Sequence, residues 1–293
     1  MASVTAAKVS ARPRSLAVRV RRLVGGVLRY AVLLAIAAVV IVPLVYAFMG
    51  GFRDNGQIGN SALGWPDPWV PTNYTEVLGS ASFWQQVGNS ILIAAVSTFV
   101  VVSLSALAAF AFARMQFPGR EVVFTFFALG LLFPAAVAIL PLYILVRGIG
   151  LLDSPLGVAL PQAAFQLPLT ILILRPFFRA IPAELEDAAL IDGCGPLGFF
   201  WRVLLPLSRP ALVTVAVLAV VTSWNAFLLP LVVLSGADQW TLPLGVTNFT
   251  TQYTSDTARI LAFTVLAMVP ALAFYAIAER QLVGGLTSGA VKG

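Results

Sequence analysis

From Tyr30 to Met49 the chain runs for twenty residues without a charged side chain. No other feature constrains its fold as much. A helix crosses a bilayer core of about 30 Å with about 20 apolar residues. Five similar runs follow, at about Ser90–Ala113, Val122–Val146, Leu156–Leu174, Ala211–Leu234 and Ile260–Ala278, and none holds a charge. We read them as six transmembrane helices. Pro134 and Pro141 interrupt the third run, and Pro161 and Pro168 the fourth. Prolines persist in spans where neighbouring helices or side chains re-satisfy the freed backbone groups.

Composition agrees with this reading. Hydrophobic residues make up 59% of the chain and charged residues 10%, against about 45–50% and about 25% in soluble domains. A soluble fold could not bury so much apolar surface and still present a solvated exterior. With no histidine in the chain, His-based zinc sites, Ser-His-Asp and Cys-His nucleophiles and His-held haem are excluded. Cys194 is the one cysteine, so an internal disulfide or a Cys-rich metal cluster cannot form. The two lysines, Lys8 and Lys292, sit at the ends of the chain and outside any G-x-x-x-x-G-K-[ST] loop. No set of residues points to a catalytic centre or a metal site.

The basic residues give a sidedness. Met1 to Arg29 is a polar, basic N-terminal tail, followed by an apolar run too long for a signal peptide and without a cleavage site. Six spans put both termini on one side. That side then holds fifteen of the eighteen Lys and Arg residues. The other side holds Arg53, Arg147 and Arg259. The positive-inside rule makes the basic side cytoplasmic. This explains the net charge of +6 without nucleic acid. The domains expected are a cytoplasmic tail (1–29), a six-span unit (30–280) and a cytoplasmic C-terminal tail (281–293). The outer segment from Gly50 to Gly88 is turn-rich around Trp65-Pro66-Asp67-Pro68-Trp69. It reads as interfacial anchoring or as a docking surface for an external partner. Asn73-Tyr74-Thr75 and Asn248-Phe249-Thr250 match the glycosylation triplet.

Between the fourth and fifth runs, on the basic side, residues 181–210 read as two short helices with a break. Pro182 suits a first helical position. Glu184, Glu186 and Asp187 follow, where the helix dipole favours negative charge. Gly193 suits a C-terminal stop. Pro196 starts a second helix carrying Phe199, Phe200, Val203 and Leu204, Pro206 ends it, and Pro210 opens the next span. The result is either a protruding knob or an amphipathic connector lying on the membrane. Gly193 to Gly198 also fits G-x-G-x-x-G, but a helix precedes it and no acidic residue follows at the required distance, so the dinucleotide reading fails.

Residues 187–206 resemble the cytoplasmic signature of binding-protein-dependent ABC importer permeases, EAA-x3-G-x9-I-x-LP. Here it reads Asp187-Ala188-Ala189, Gly193, Val203 and Leu205-Pro206. Asp187 replaces Glu, Val203 replaces Ile, and Cys194 stands where alanine is usual. Asn73-Tyr74, Asn89-Ser90, Phe112-Ala113-Arg114, Phe117-Pro118-Gly119-Arg120, Trp224-Asn225-Ala226-Phe227 and the stretch from Gly285 to Gly293 resemble the carbohydrate-uptake, maltose-type branch.

The resemblance implies an all-α integral membrane protein, a six-span helix bundle of the type I ABC importer kind, in the bacterial inner membrane. It implies a cytoplasmic ATPase dimer, a second permease subunit (usually a different chain), an extracytoplasmic solute-binding protein and a carbohydrate cargo. ATP and magnesium then bind the ATPase, and this chain binds no cofactor. Asp187, Ala188, Ala189, Gly193 and Pro206 become ATPase-coupling residues by motif position. Glu184 and Asp192 join them from helix-start and turn reasoning. Polar groups inside spans are pathway candidates: Asn89, Gln162, Gln166, Trp224 and Asn225. Helix–helix hydrogen bonding is the competing role for them. Phe124, Phe126 and Phe127 read as lipid-facing or core. Glycerol phosphate, an amino acid or a peptide is an alternative cargo. A secondary transporter is disfavoured, because Asp153, Asp238 and Asp256 fall in the expected outer loops and histidine is lacking.

Overall fold

The computed structural model describes residues 16–61, 63–251 and 253–290, with side chains from 25 to 279. Lys8, Arg12, Arg14 and Lys292 lie outside the described residues, as do the side chains of the expected C-terminal tail. The described chain is helical, with one isolated antiparallel bridge, Thr250 to Ser255. Its helices are α1 (Leu16–Gly50), α2 (Asn55–Asn60), α3 (Thr72–Gly79), α4 (Ala81–Arg114), α5 (Arg120–Leu129), α6 (Ile139–Gly148), α7 (Pro155–Ala180), α8 (Ala183–Ile191), α9 (Pro196–Phe199), α10 (Leu205–Leu207), α11 (Arg209–Trp224), α12 (Leu228–Val233) and α13 (Thr257–Ala290).

Four stretches are each long and apolar enough to cross a bilayer: 25–50, 81–114, 155–180 and 257–279. The third expected span is not one straight helix. Its arms, 120–132 and 135–148, meet at 89°. Phe133 and Pro134 at the corner are extended, as the proline ring demands of its predecessor. Leu132 and Phe133 are exposed at the corner, although the turn 130–132 touches α7. By contrast, α7 runs unbroken through Pro161, Pro168 and Pro176. It packs along its length on α4 and α11, and Thr170 donates back to the Gln166 carbonyl at 2.9 Å. Packing is not the whole account, since α1 passes Pro43 and α13 passes Pro270 unbroken although little of either span is buried.

The fifth expected span, Ala211 to Leu234, also differs. α11 stops at Trp224, and α12 resumes four residues later. The Asn225 side chain donates back to the Val221 carbonyl at 2.8 Å and closes the helix, the local competition typical of asparagine.

Small side chains set the centre of the bundle. Val101, Ala163 and Ala219 bring α4, α7 and α11 together, the small-residue contact that lets helices approach in lipid. A larger cluster around Phe110, Phe178, Phe199, Phe200 and Leu204 fills one end. Ile93, Val146, Val158 and Val233 form another nearer the opposite end.

The two ends differ in their polar contacts. At one, Asn55 joins Asp256 and the Ala258 N–H, each at 3.0 Å, and Arg259 pairs with Glu76 at 2.6 Å. α1 runs into this end and α13 leaves it. Asp153 there accepts from the N–H groups of Ser235 and Gly236. The Asn73-Tyr74 pair explains itself at the same end. Asn73 donates to the carbonyls of Gly51 and Arg53 at 3.0 and 2.8 Å, and the Tyr74 hydroxyl donates to Phe48 at 2.8 Å. These are orphan carbonyls at the exit of α1. Burial pushes the Tyr74 phenol up to about 12, so it stays a donor at neutral pH. Asn73 is buried and its amide is engaged, so the triplet there is no acceptor for a glycan. Asn73→Ala should lower stability by about 1–3 kcal/mol, the cost of leaving buried partners unpaired. Thermal unfolding of the purified protein checks this, and an unchanged midpoint would show that the bonds hold nothing.

Candidate functional site

Two features stand out, a protruding segment at the end that holds Arg114 and Arg175, and a mostly apolar cavity with a few polar side chains on its wall. The protruding segment begins where α7 ends. Ile181 is extended, and Pro182 takes the cap position, one residue before its expected place in the helix. Glu184 and Glu186 lie in the first turn of α8. At the other end Gly193 is left-handed, with φ of 78°. Its N–H bonds Leu190 at 3.0 Å and the Cys194 N–H bonds Ala189 at 2.8 Å. These two bonds make a Schellman cap. Pro196 then occupies the first turn of α9.

Pro206 does not end the second helix as expected. The helical path continues to Leu207 and turns at Ser208. Residues 200–204 form a wide π turn, in which the Leu205 N–H reaches the Phe200 carbonyl. The extra residue makes room ahead of a proline that brings no N–H and crowds the preceding turn. The unit 196–207 meets α11 at 78°.

The segment is a knob with two faces. Glu184, Asp187, Ala188, Asp192, Gly193 and Pro206 are exposed. Ala189 turns inward and joins the cluster of Phe110, Phe178 and Phe199. The two alanines of the signature thus play different parts, one on the surface and one in the core. A connector lying flat would bury one continuous apolar stripe instead. Here α8 buries only Ala189, and the second half buries Phe199, Phe200 and Leu204.

Contacts mostly between distant positions brace this end. Glu121 accepts from Arg175, and from Arg179 at 3.1 Å and Arg120 at 3.2 Å. Arg175 is buried, lies 3.8 Å over the Phe124 ring and donates to the Phe112 carbonyl at 3.2 Å. Phe124 is therefore half-buried beneath Arg175, whereas Phe126 is exposed. Partners more than fifty residues apart gave no signal in the sequence beyond a basic residue at each helix end.

The cavity, of about 430 Å3, lies between α6, α7 and the break after α11. Gln162, Gln166 and Asn225 line it with Thr222, Phe165 and Phe227. Three of the five pathway candidates thus meet at one place. Gln162 accepts from the buried Ser223 hydroxyl at 2.6 Å, and the Nε2 groups of Gln162 and Gln166 have no partner. Amides and aromatic faces around one space suit a polyhydroxylated ligand. Asn89 and Trp224 lie elsewhere. Asn89 donates to the carbonyls of Asp238 and Trp240 at 2.8 and 3.0 Å, and beside it Ser90 accepts from the Leu242 N–H at 2.7 Å. That pair clamps the 238–242 loop. Trp224 packs against the cluster of Val77, Phe83, Leu242 and Phe263.

Known proteins resemble this chain. The chain is 33% identical over 262 residues to the diacetylchitobiose uptake system permease protein NgcG of Streptomyces coelicolor, covering 89% of this chain and 87% of that one. It is 35% identical over 255 residues to the trehalose transport system permease protein SugB of Mycobacterium tuberculosis, covering 86% and 93%. Among solved structures, a bacterial ABC transporter involved in the import of the acidic polysaccharide alginate has the same fold, with a TM-score of 0.77, 22% identity and coverage of 92% and 99%. Residues 102–282 match the family described as the binding-protein-dependent transport system inner membrane component. With that match spanning α4 to α13 and the knob at its middle, the chain belongs to this family, as a multi-pass permease subunit of the inner membrane.

Proposed function

We propose that the protein is one of two membrane subunits of an ATP-driven importer that moves a sugar or oligosaccharide. It crosses the membrane six times, counting each bent or broken stretch as one crossing, with both termini in the cytoplasm. An extracytoplasmic solute-binding protein delivers the cargo. A cytoplasmic ATPase dimer hydrolyses ATP with its magnesium, and the second permease is a different chain.

The observation that carries this reading is the exposed knob at the basic end of the bundle. Glu184, Asp187 and Asp192 present negative charge, and Ala188 and Gly193 allow close approach. Such a face suits a basic cleft on a motor protein. Gln162, Gln166 and Asn225 form part of the pathway, where amides exchange hydrogen bonds with sugar hydroxyls and Phe165 and Phe227 offer ring faces. The uptake of diacetylchitobiose and trehalose by relatives supports a carbohydrate cargo.

Affinity purification of the full chain from native membranes is the direct test. An ATP-binding-cassette ATPase and a second multi-span chain should co-purify, and the reconstituted complex should import a disaccharide when ATP is supplied. A chain that purifies alone after mild crosslinking would sink the proposal. Gln162→Leu should cut uptake about tenfold, as expected for a lost polar contact in a desolvated site. ATP hydrolysis should persist, and unchanged uptake would remove Gln162 from the pathway.

A further inference from the structure

Arg114 ends α4, outside the signature segment, and the importer reading leaves it without a role. Its side chain is 9% exposed. One arm of the guanidinium lies 3.5 Å from the Glu186 carboxylate, and the other donates to the Ile181 carbonyl. Glu186 is in the first turn of α8, and Ile181 caps α7. One planar fork therefore touches the ends of three helices. Arginine suits this place, since its fork grips two acceptors at fixed angles and its charge favours the C-termini of α4 and α7.

The packing shows why such a tie is needed. Phe199, Phe200 and Leu204 seat the second half of the knob in the core. The first half has only Ala189 buried. No large apolar side chain is buried in the first turn of α8, where Leu185 is exposed. The acidic residues there also divide: Glu186 is partly buried against Arg114, while Glu184 and Asp187 remain exposed.

We infer that Arg114 is a positioning residue for coupling, which pins the first turn of α8 to the ends of α4 and α7 so that a push on the knob moves both spans together. α4 and α7 are the most extensively packed helix pair, and α7 carries Gln162 and Gln166. A knob hinged loosely at its first turn would absorb the push instead. This inference rests on the importer reading for its consequence, but not for the pin itself.

Cys194 supplies the readout. It is the only cysteine of the chain, half-buried, and caps the far end of α8. Alkylation by N-ethylmaleimide therefore reports how firmly α8 is docked, in the full chain before any transport is measured. Arg114→Gln should speed alkylation about fivefold, as local opening becomes easier. In the complete reconstituted transporter, the same variant should lower the trehalose or diacetylchitobiose imported per ATP hydrolysed about tenfold. Arg114→Lys keeps the charge but not the fork and should fall between, and Glu186→Gln should shift alkylation about twofold to threefold. A merely structural defect would reduce uptake and hydrolysis in proportion, and that result would overturn the inference. So would a Cys194 rate unchanged in monodisperse Arg114→Gln protein. If Arg114→Gln speeds alkylation but the wild type imports neither sugar at the expense of ATP, the importer reading fails and the pin stands. If the wild type imports normally and alkylation is unchanged, the pin fails and the reading stands.

Discussion

Gly193→Val should leave the protein inserted in the membrane and cut coupled uptake by more than about tenfold. The expected loss comes from backbone conformation rather than crowding. A Cβ at this position would meet nothing within 4 Å. But φ is 78°, and an L-residue in that region costs about 1–2 kcal/mol, more when β-branched. Valine therefore favours another conformation, and the two capping bonds to Leu190 and Ala189 are lost with it. The exit of α8 is then redirected, and its acidic residues lose their fixed placement relative to the second half of the knob. The bundle has no reason to change, because Gly193 is exposed. Membrane-inserted protein should stay within about twofold of wild type, since surface changes away from the core cost little. Asparagine tolerates the left-handed region, so Gly193→Asn should recover most of the uptake. Normal uptake by Gly193→Val would remove the coupling role of the knob, as would an Asn variant as impaired as the Val variant.

The second large effect is on folding. A Cβ at Gly157 would lie 2.1 Å from the Leu151 carbonyl oxygen and 3.0 Å from Val146 Cγ1. The first obstacle is backbone, held by the turn between α6 and α7, and cannot swing aside as a side chain would. Overpacking costs about 1–3 kcal/mol even where neighbours yield. Gly157→Val should exceed that range and lower the unfolding midpoint in detergent by about 10 °C, on the usual size scaling. Gly195 is the control, with nothing within 4 Å of a Cβ and φ of −67°. Gly195→Ala should melt within about 2 °C of wild type, in line with other surface substitutions. A Gly157→Val protein that also melts within that margin would show that α7 slides freely past the 146–151 turn.

Both effects were unequally visible in the sequence. Gly193 announced itself as a helix stop after an acidic start, because a Schellman cap needs only residues a few positions apart. Gly157 gave no warning. Its constraint comes from the preceding connection folding back over α7.

The same division runs through the molecule. The sequence by itself determined the apolar stretches, the crowding of basic residues between some of them and not others, and the break within the 181–210 knob, since hydropathy, charge and capping are properties of contiguous residues. Only the tertiary structure decided which prolines break a helix. Pro134 sits at an 89° corner, whereas Pro161, Pro168 and Pro176 lie within one unbroken helix. It also decided which amides meet. Gln162, Gln166 and Asn225 converge, while Asn89 is spent on carbonyls about 150 positions away. Finally, it paired Arg114 with Glu186 across 72 positions. A side chain's partner at such a separation is set by how whole helices pack, and local spacing does not encode it.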